Sequence, residues 1–212
     1  MYKYSTFRAR SVTTILIAMS IIITFHVWGD FKSGRSNSQL ELSMTWEQLF
    51  VKHEWWRMLT APFVHWTWGH LIGNMIELWL FGNRTAMLFG IRTYMLVFFL
   101  GGSIGGLSFL WYRRDASIFG ASGATCCLLG VLIVHFGMQV RHLSRASMWK
   151  LGLLISYGLA TCALGVTNLR LWNFGHSVSL VTGLGMGLFL WAHRQPSQLA
   201  DGPSSLPIEG SR

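Results

Sequence analysis

Residues 120–134 read GASGATCCLLGVLIV, a serine framed by two glycines at the head of an apolar stretch. A polar side chain at membrane depth costs free energy, so a hydroxyl in such a stretch suggests a site. Three further polar side chains, those of His70, Asn74 and His176, also lie in apolar stretches. Together with Ser122 they supply a nucleophile, a base and oxyanion donors, which are the parts of a serine hydrolase.

The composition around this stretch is that of a polytopic membrane protein. Of the 212 residues, 51% are hydrophobic and only 12% are charged, and the mean hydropathy is +0.41. The predicted fold is an all-α bundle of six transmembrane helices. We place these helices near residues 11–29, 68–89, 93–112, 118–138, 147–168 and 173–192. The first connection is rich in Trp, which indicates a long, partly helical loop in the membrane interface.

The pattern divides the chain into three parts. Residues 1–10 are predicted to be a cytoplasmic N-terminus, residues 11–194 the transmembrane domain, and residues 195–212 a disordered cytoplasmic tail. With both termini inside, ten of the 17 Lys and Arg residues fall on the cytoplasmic side. This excess favours an N-in, C-in orientation.

The net charge of +9 does not indicate a nucleic-acid partner. The basic residues form short runs between apolar segments, as in membrane loops, and not a basic stripe interleaved with exposed aromatic residues. The lipid bilayer is therefore an expected partner, and nucleic acid is not.

Neither a metal nor another cofactor is predicted. The three cysteines, Cys126, Cys127 and Cys162, lie inside apolar segments, and their number and spacing suit neither disulfides nor zinc. His65 and His70 could share a metal ion, but no third ligand has a suitable spacing.

Small residues recur at four-residue spacing on two of the predicted helices, where they allow close approach of helix backbones in lipid. They are Gly101, Gly102, Gly105 and Gly106 on the third helix, and Ser179, Gly183 and Gly187 on the sixth. Close packing of the fourth and sixth helices would bring Ser122 towards His176.

The polar residues suit a two-residue catalytic centre. His70 and Asn74 are four residues apart, so they share one helix face, and both can donate hydrogen bonds to an oxyanion. The backbone N–H of Ser122, near a helix start, adds a third donor. His176 can serve as the base that a serine nucleophile needs. Glu77 lies two turns from His70 and is not expected to complete a triad.

With these residues the chain resembles the rhomboid family of intramembrane serine proteases over about residues 46–192. Four motifs carry the resemblance: the Trp-Arg element at Trp56-Arg57, the H-x4-H-x3-N run from His65 through His70 to Asn74, the G-x-S-G motif at Gly120 to Gly123, and the pattern of Gly175-His176 with Ser179 and Gly183. Two positions depart from the family pattern. Ser179 stands where the family usually has Gly, and Cys126 where many bacterial members have an aromatic residue.

The resemblance implies a role for each of these residues. Ser122 would be the nucleophile and His176 the general base and then acid, with His70, Asn74 and the Ser122 N–H as the oxyanion hole. Gly120 and Gly123 would support the nucleophile, His65 would hold the first loop, and Trp56 and Arg57 would anchor that loop in the interface. The substrates would be single-pass transmembrane proteins, and the protein would lie in a bacterial inner membrane.

Two other classes remain as alternatives. A rhomboid-like pseudoprotease would bind transmembrane clients without cleaving them, but such proteins usually lack the Ser or the His. A small transporter would show repeated halves and midplane charges, and the chain has no internal repeat and only Glu77 as such a charge. Neither the natural substrate nor the oligomeric state follows from the sequence.

Overall fold

The computed structural model describes residues 2–32, 42–167 and 172–193, and most of them are helical. The helices are α1 (Tyr2–Lys32), α2 (Arg57–Thr60), α3 (Trp68–Glu77), α4 (Asn83–Phe89), α5 (Ile91–Tyr112), α6 (Ser122–Met138), α7 (Arg145–Thr167) and α8 (Trp172–Ala192). Shorter turns are π-helical at Glu47–Val51 and Leu78–Gly82 and 3₁₀-helical at Ala61–Phe63 and Val140–His142. The tail predicted at 195–212 lies outside the described residues.

Each predicted apolar segment contains a helix, and the differences lie at the ends. Helix α1 begins at Tyr2 and not near residue 11, so the basic start of the chain continues the helix. Lys and Arg are good helix formers, which explains why the basic residues do not end it. The segment predicted at 68–89 is one run of helix, in which the π-helical turn Leu78–Gly82 joins α3 to α4.

Within the part of the chain that the structure describes, three helices are long and apolar enough to cross a membrane, judged by length and composition. They are Phe7–Trp28, Ile91–Tyr112 and Phe174–Ala192, and Ser122–Met138 is a shorter apolar helix. A bilayer core about 30 Å thick needs roughly 20 apolar residues of helix. Side chains such as Ile22, Leu153 and Phe189 are more than half exposed, as expected for surfaces that face lipid.

The first loop contains a strand that the sequence did not predict. Strand β1 (Met44–Thr45) pairs antiparallel with β2 (Ser117–Ile118), which precedes α6. Met44 is 2% exposed and packs with Leu49, Ala61 and Leu110 in a small cluster of its own. The pairing fixes the loop against the segment that leads into Ser122.

Helices α5, α6 and α8 form the packed centre of the bundle, and small residues bring their backbones together. A Cβ atom on Gly130 of α6 would lie 2.5 Å from the carbonyl oxygen of Leu180 in α8. A Cβ on Gly105 of α5 would lie 2.7 Å from the carbonyl oxygen of Gly175 in α8. Close approach of this kind is what small residues permit in membranes.

Candidate active site

The hydroxyl of Ser122 and the ring of His176 form a hydrogen bond in the structure. Ser122 Oγ lies 2.7 Å from Nε2 of His176, although the two residues are 54 positions apart in the chain. Ser122 is the first residue of α6, and His176 lies one turn into α8. This is the contact that a serine nucleophile and its general base require.

The backbone before Ser122 takes a conformation that favours glycine. Gly120 has φ +94°, which an L side chain rarely adopts, and its N–H donates to the carbonyl of Ala61 at 2.9 Å. A Cβ at this position would lie 2.6 Å from Cε1 of His70 and 3.3 Å from Nδ2 of Asn74. Gly120 therefore allows the loop to approach both predicted oxyanion donors.

His70 and Asn74 project from α3 towards the same loop. The helix is capped by Thr67, whose Oγ1 accepts from the N–H of His70 at 3.1 Å. Asn74 is 4% exposed, and among the described residues its Nδ2 has no hydrogen-bond partner. Because buried donors are normally paired, an unpaired amide beside Gly120 is what a site that binds an oxyanion would show.

A cavity of about 100 Å³ joins these groups. His70, Ser122 and His176 line it together with Phe119, and glycines of α5, α6 and α8 form much of the rest of its wall. The wall carries little side-chain volume on that side, so an extended backbone could approach Ser122. The N–H groups of the first turn of α6 have no partners within the helix, so the Ser122 N–H can serve as an additional donor.

His65 ties the first loop to the start of α6. It is fully buried, and burial lowers its pKa to about 3, so the ring is neutral at physiological pH. Its Nε2 accepts from the N–H of Ala121 at 3.4 Å, and its Nδ1 lies 3.4 Å from Oγ1 of Thr24 in α1. The ring also meets His70 edge-on at 5.1 Å. These contacts suit the structural role expected of His65.

Arg57 holds the first loop from within. Its side chain is 8% exposed, Nε donates to Oε2 of Glu54 at 2.6 Å, and a terminal nitrogen donates to the carbonyl of Ser43 at 3.1 Å. The guanidinium also lies 4.5 Å from the ring centroid of Trp56, which is 46% exposed. Arg57 thus binds the residue next to β1, while Trp56 is available to the membrane interface.

The two departures from the family pattern are placed differently. Ser179 is fully buried, and its hydroxyl donates to the carbonyl of Gly101 in α5 at 2.9 Å. A Cβ on Gly123 would lie 3.2 Å from this hydroxyl oxygen, so Gly123 leaves room for it. Cys126 is buried on α6. Ser179 therefore adds a bond between α5 and α8.

Glu77 does not contact the Ser122–His176 pair directly, and its carboxylate has other partners. Its Oε2 accepts from the Thr125 hydroxyl at 2.5 Å, and its Oε1 accepts from the Tyr157 hydroxyl. Thr125 Oγ1 also lies 3.0 Å from the carbonyl oxygen of Ser122. Sequence reasoning missed Thr125, although its place one turn after the nucleophile was a usable signal.

No metal site emerges from the part of the chain that the structure describes. Within residues 2–32, 42–167 and 172–193 there is no group of three His, Cys, Asp or Glu side chains suited to a metal ion. Cys126 and Cys127 are buried on α6, and the side chain of Cys162 lies outside the described residues.

Comparison with known proteins gives a consistent picture. The Rhomboid domain family matches residues 52–193. RHOMBOID-like protein 6, mitochondrial, of Arabidopsis thaliana is 31% identical over 74% of this chain and 51% of its own length. Rhomboid protease GluP of Bacillus subtilis is 28% identical over 57% of this chain and 24% of its own length. Inactive RHOMBOID-like protein 8 of Arabidopsis thaliana is 30% identical over 47% of this chain and 29% of its own length.

These relatives thus include one named as a protease and one named as inactive. The chain spans about half the length of the first relative and a smaller share of the other two. The match to the family covers most of the chain and includes all four motifs. The chain is an integral membrane protein and belongs to the rhomboid family.

Proposed function

We propose that this protein is an intramembrane serine endopeptidase that cleaves single-pass transmembrane proteins in or near the membrane. The observation that carries the proposal is the 2.7 Å contact between Ser122 Oγ and His176 Nε2. It is supported by the unpaired amide of Asn74 beside Gly120 and by the small-walled cavity at Ser122. No metal or cofactor enters the reaction.

The reaction would begin with attack of Ser122 Oγ on the carbonyl carbon of the scissile peptide bond. His176 Nε2 takes the hydroxyl proton, and His70, Asn74 and the Ser122 N–H donate to the oxyanion of the tetrahedral intermediate. Collapse breaks the C–N bond, and His176 gives its proton to the leaving amine. Water, activated by His176, then hydrolyses the ester on Ser122 and restores the hydroxyl.

We further propose six transmembrane helices with both termini in the cytoplasm of a bacterial cell, in the inner membrane. Strand pairing of Met44–Thr45 with Ser117–Ile118 supports part of this arrangement, since it joins the first loop and the loop before α6 on one side. The active-site cavity opens near the same loops, so water would enter from the outer side. Labelling of a cysteine placed at Arg114 by an impermeant reagent in intact cells tests the orientation.

Cleavage of a single-pass reporter by the full chain tests the catalytic proposal. We expect a specific product from the wild type and none from Ser122→Ala, because the hydroxyl is the attacking group. Ser20→Ala is the matched control: Ser20 is also a buried serine in a helix, but it donates to the carbonyl of Leu16 in α1.

The second candidate function is binding of transmembrane clients without cleavage, and it is favoured by the similarity to a relative that is named as inactive. Co-purification of the reporter with the wild type, uncut, would favour this function. The same product from wild type and Ser122→Ala would contradict the proposed nucleophile. The oligomeric state of the protein in detergent is measured in the same preparation.

A further inference from the structure

A second and larger cavity lies away from Ser122. It has a volume of about 690 Å³ and lies between the α3–α4 run and α7, with α6 behind it. Its wall is mainly apolar and includes Ile76, Leu80, Phe81, Leu132, Leu153 and Leu154. Pockets of 300–1,000 Å³ with mostly apolar walls are typical of small-molecule sites. The cavity shares no lining residue with the one at Ser122.

One end of this cavity is positively charged. Arg84 and Lys150 line it, and Ser147 lies one turn from Lys150. None of the ion pairs between described residues includes Arg84 or Lys150. The guanidinium of Arg84 lies 5.3 Å from the ring centroid of Phe136, which holds it at the cavity wall. The two cations are thus available to an anion.

At the level of Glu77 and Tyr157 the polar groups of the cavity are hydrogen-bonded to one another. These side chains are joined by a hydrogen bond, and Thr125 donates to the second carboxylate oxygen. Arg84 is seven residues after Glu77 and Lys150 is seven before Tyr157, so the cations lie two helical turns, about 10 Å, from this level. The cavity therefore combines a basic end with an apolar interior whose one acid is already satisfied.

This distribution selects an amphiphile with one anionic head group. We propose that the cavity binds an anionic phospholipid of the bilayer, with its phosphate at Arg84, Lys150 and Ser147 and one acyl chain along Leu80 and Leu153. Arg and Lys are the usual phosphate partners, and basic pockets between transmembrane helices bind anionic head groups. A transmembrane helix of another protein could also fill the apolar part of the cavity. However, such a helix carries no anionic group that would pair with Arg84 and Lys150.

Native mass spectrometry of the purified full chain tests the proposal without reference to proteolysis. The protein is mixed with equal amounts of phosphatidylglycerol and phosphatidylcholine that carry the same acyl chains. We expect the wild type to retain phosphatidylglycerol preferentially, and Arg84→Gln/Lys150→Gln to lose at least fivefold of that preference. Arg92→Gln/Arg145→Gln is the matched control, because it removes the same charge from residues that do not line the cavity.

A variant of the apolar part tests the acyl chain. Leu153→Trp fills the interior, so we expect retention of both lipids to fall while the basic pair is intact. Size-exclusion profiles and thermal midpoints show whether each variant is folded. Equal retention of phosphatidylglycerol by the wild type and Arg84→Gln/Lys150→Gln would overturn the proposal. An equal loss of the preference for phosphatidylglycerol in Arg92→Gln/Arg145→Gln would overturn it too.

A photo-crosslinker at Leu153 distinguishes the occupants directly. Capture of phosphatidylglycerol in preference to phosphatidylcholine supports the proposal, and equal capture of the two lipids, or capture of a single-pass reporter in place of lipid, overturns it. Soluble glycerol phosphate should not displace the lipid, because it has no chain to fill the apolar interior. Displacement by glycerol phosphate alone would identify a phosphate site and not a lipid site.

Discussion

At the scale of single residues, the buried amide of Asn74 offers the sharpest test of the oxyanion hole. Removal of one oxyanion donor lowers kcat by about 10²–10³-fold, and we expect a loss of this size for Asn74→Ala. Its Nδ2 has no partner among the described residues, so we expect Asn74→Ala to cost less than about 1 kcal/mol of stability. Steady-state kinetics and thermal unfolding separate the two effects.

Asn83 provides the control for this variant. It is also buried, it begins α4 in the same run of helix, and its Oδ1 has no partner within the described residues. Asn83→Ala should leave kcat within about twofold of the wild type. A similar fall in kcat for both variants would mean that Asn74 acts through packing and not through its amide.

The backbone at Gly120 gives a second residue-scale prediction. An alanine there carries a side chain at φ +94°, which costs roughly 1–2 kcal/mol, and places Cβ 2.6 Å from His70. We expect Gly120→Ala to lower the thermal midpoint and to abolish cleavage. Gly137→Ala, at the far end of α6 with open space around it, should do neither. Full activity of Gly120→Ala would show that the loop before Ser122 does not pack closely against His70.

At the scale of elements, two glycines of α8 face different surroundings. A Cβ on Gly183 would lie 2.8 Å from the carbonyl carbon of Cys127 in α6, while one on Gly185 would meet nothing within 4 Å. Gly183→Ala should push α8 from α6, cost about 1–3 kcal/mol and separate Ser122 from His176.

Gly185→Ala should instead be neutral or stabilising by about 0.5–1 kcal/mol, because alanine is the better helix former. Thermal unfolding and reporter cleavage measure both variants. Equal behaviour of the two alanines would contradict the close approach of α6 and α8 that the structure describes.

The helices were within reach of sequence reasoning because apolar length alone indicates them. The spacing of Gly101, Gly105 and Gly183 also indicated which faces pack. The β1–β2 ribbon was not predictable, because two residues per strand give no alternation to detect. The partners of Glu77 were not predictable either, since Tyr157 reaches it from a helix 80 residues away in the chain.

At the scale of the whole molecule, Arg57 holds together the first loop, which pairs with the segment before α6. It binds Glu54 and the carbonyl of Ser43, and Ser43 adjoins the strand that pairs before α6. We expect Arg57→Ala to destabilise the loop by about 1.5–3 kcal/mol, the usual worth of hydrogen bonds to charged groups. Hydrogen exchange over residues 42–45 and 117–118 should increase, and cleavage should fall.

Arg113→Ala is the control, since Arg113 pairs with Asp115 in an exposed loop. Exposed pairs contribute little, so exchange at β1 and β2 should stay near the wild-type level. Unchanged exchange in Arg57→Ala would mean that the loop holds its place without the guanidinium.

The candidate site was predictable as a set of residue types, and its geometry required the fold. Ser122, His176, His70 and Asn74 all follow from polar residues in apolar segments. Two features of the geometry are not encoded in any local pattern. Gly120 brings the loop against His70 because its φ is positive, and the amide of Asn74 is unpaired among the described residues because it is buried.

The separation of 54 positions between Ser122 and His176 also sets the order in which the centre can be completed. Chains are made from the N-terminus, and His176 belongs to the last helix that the structure describes. A nascent chain with α6 already made carries a serine without its base. Under the proposed mechanism the hydroxyl stays unactivated until α8 is inserted and packed against α6, so a half-made molecule would not cut its neighbours during biogenesis.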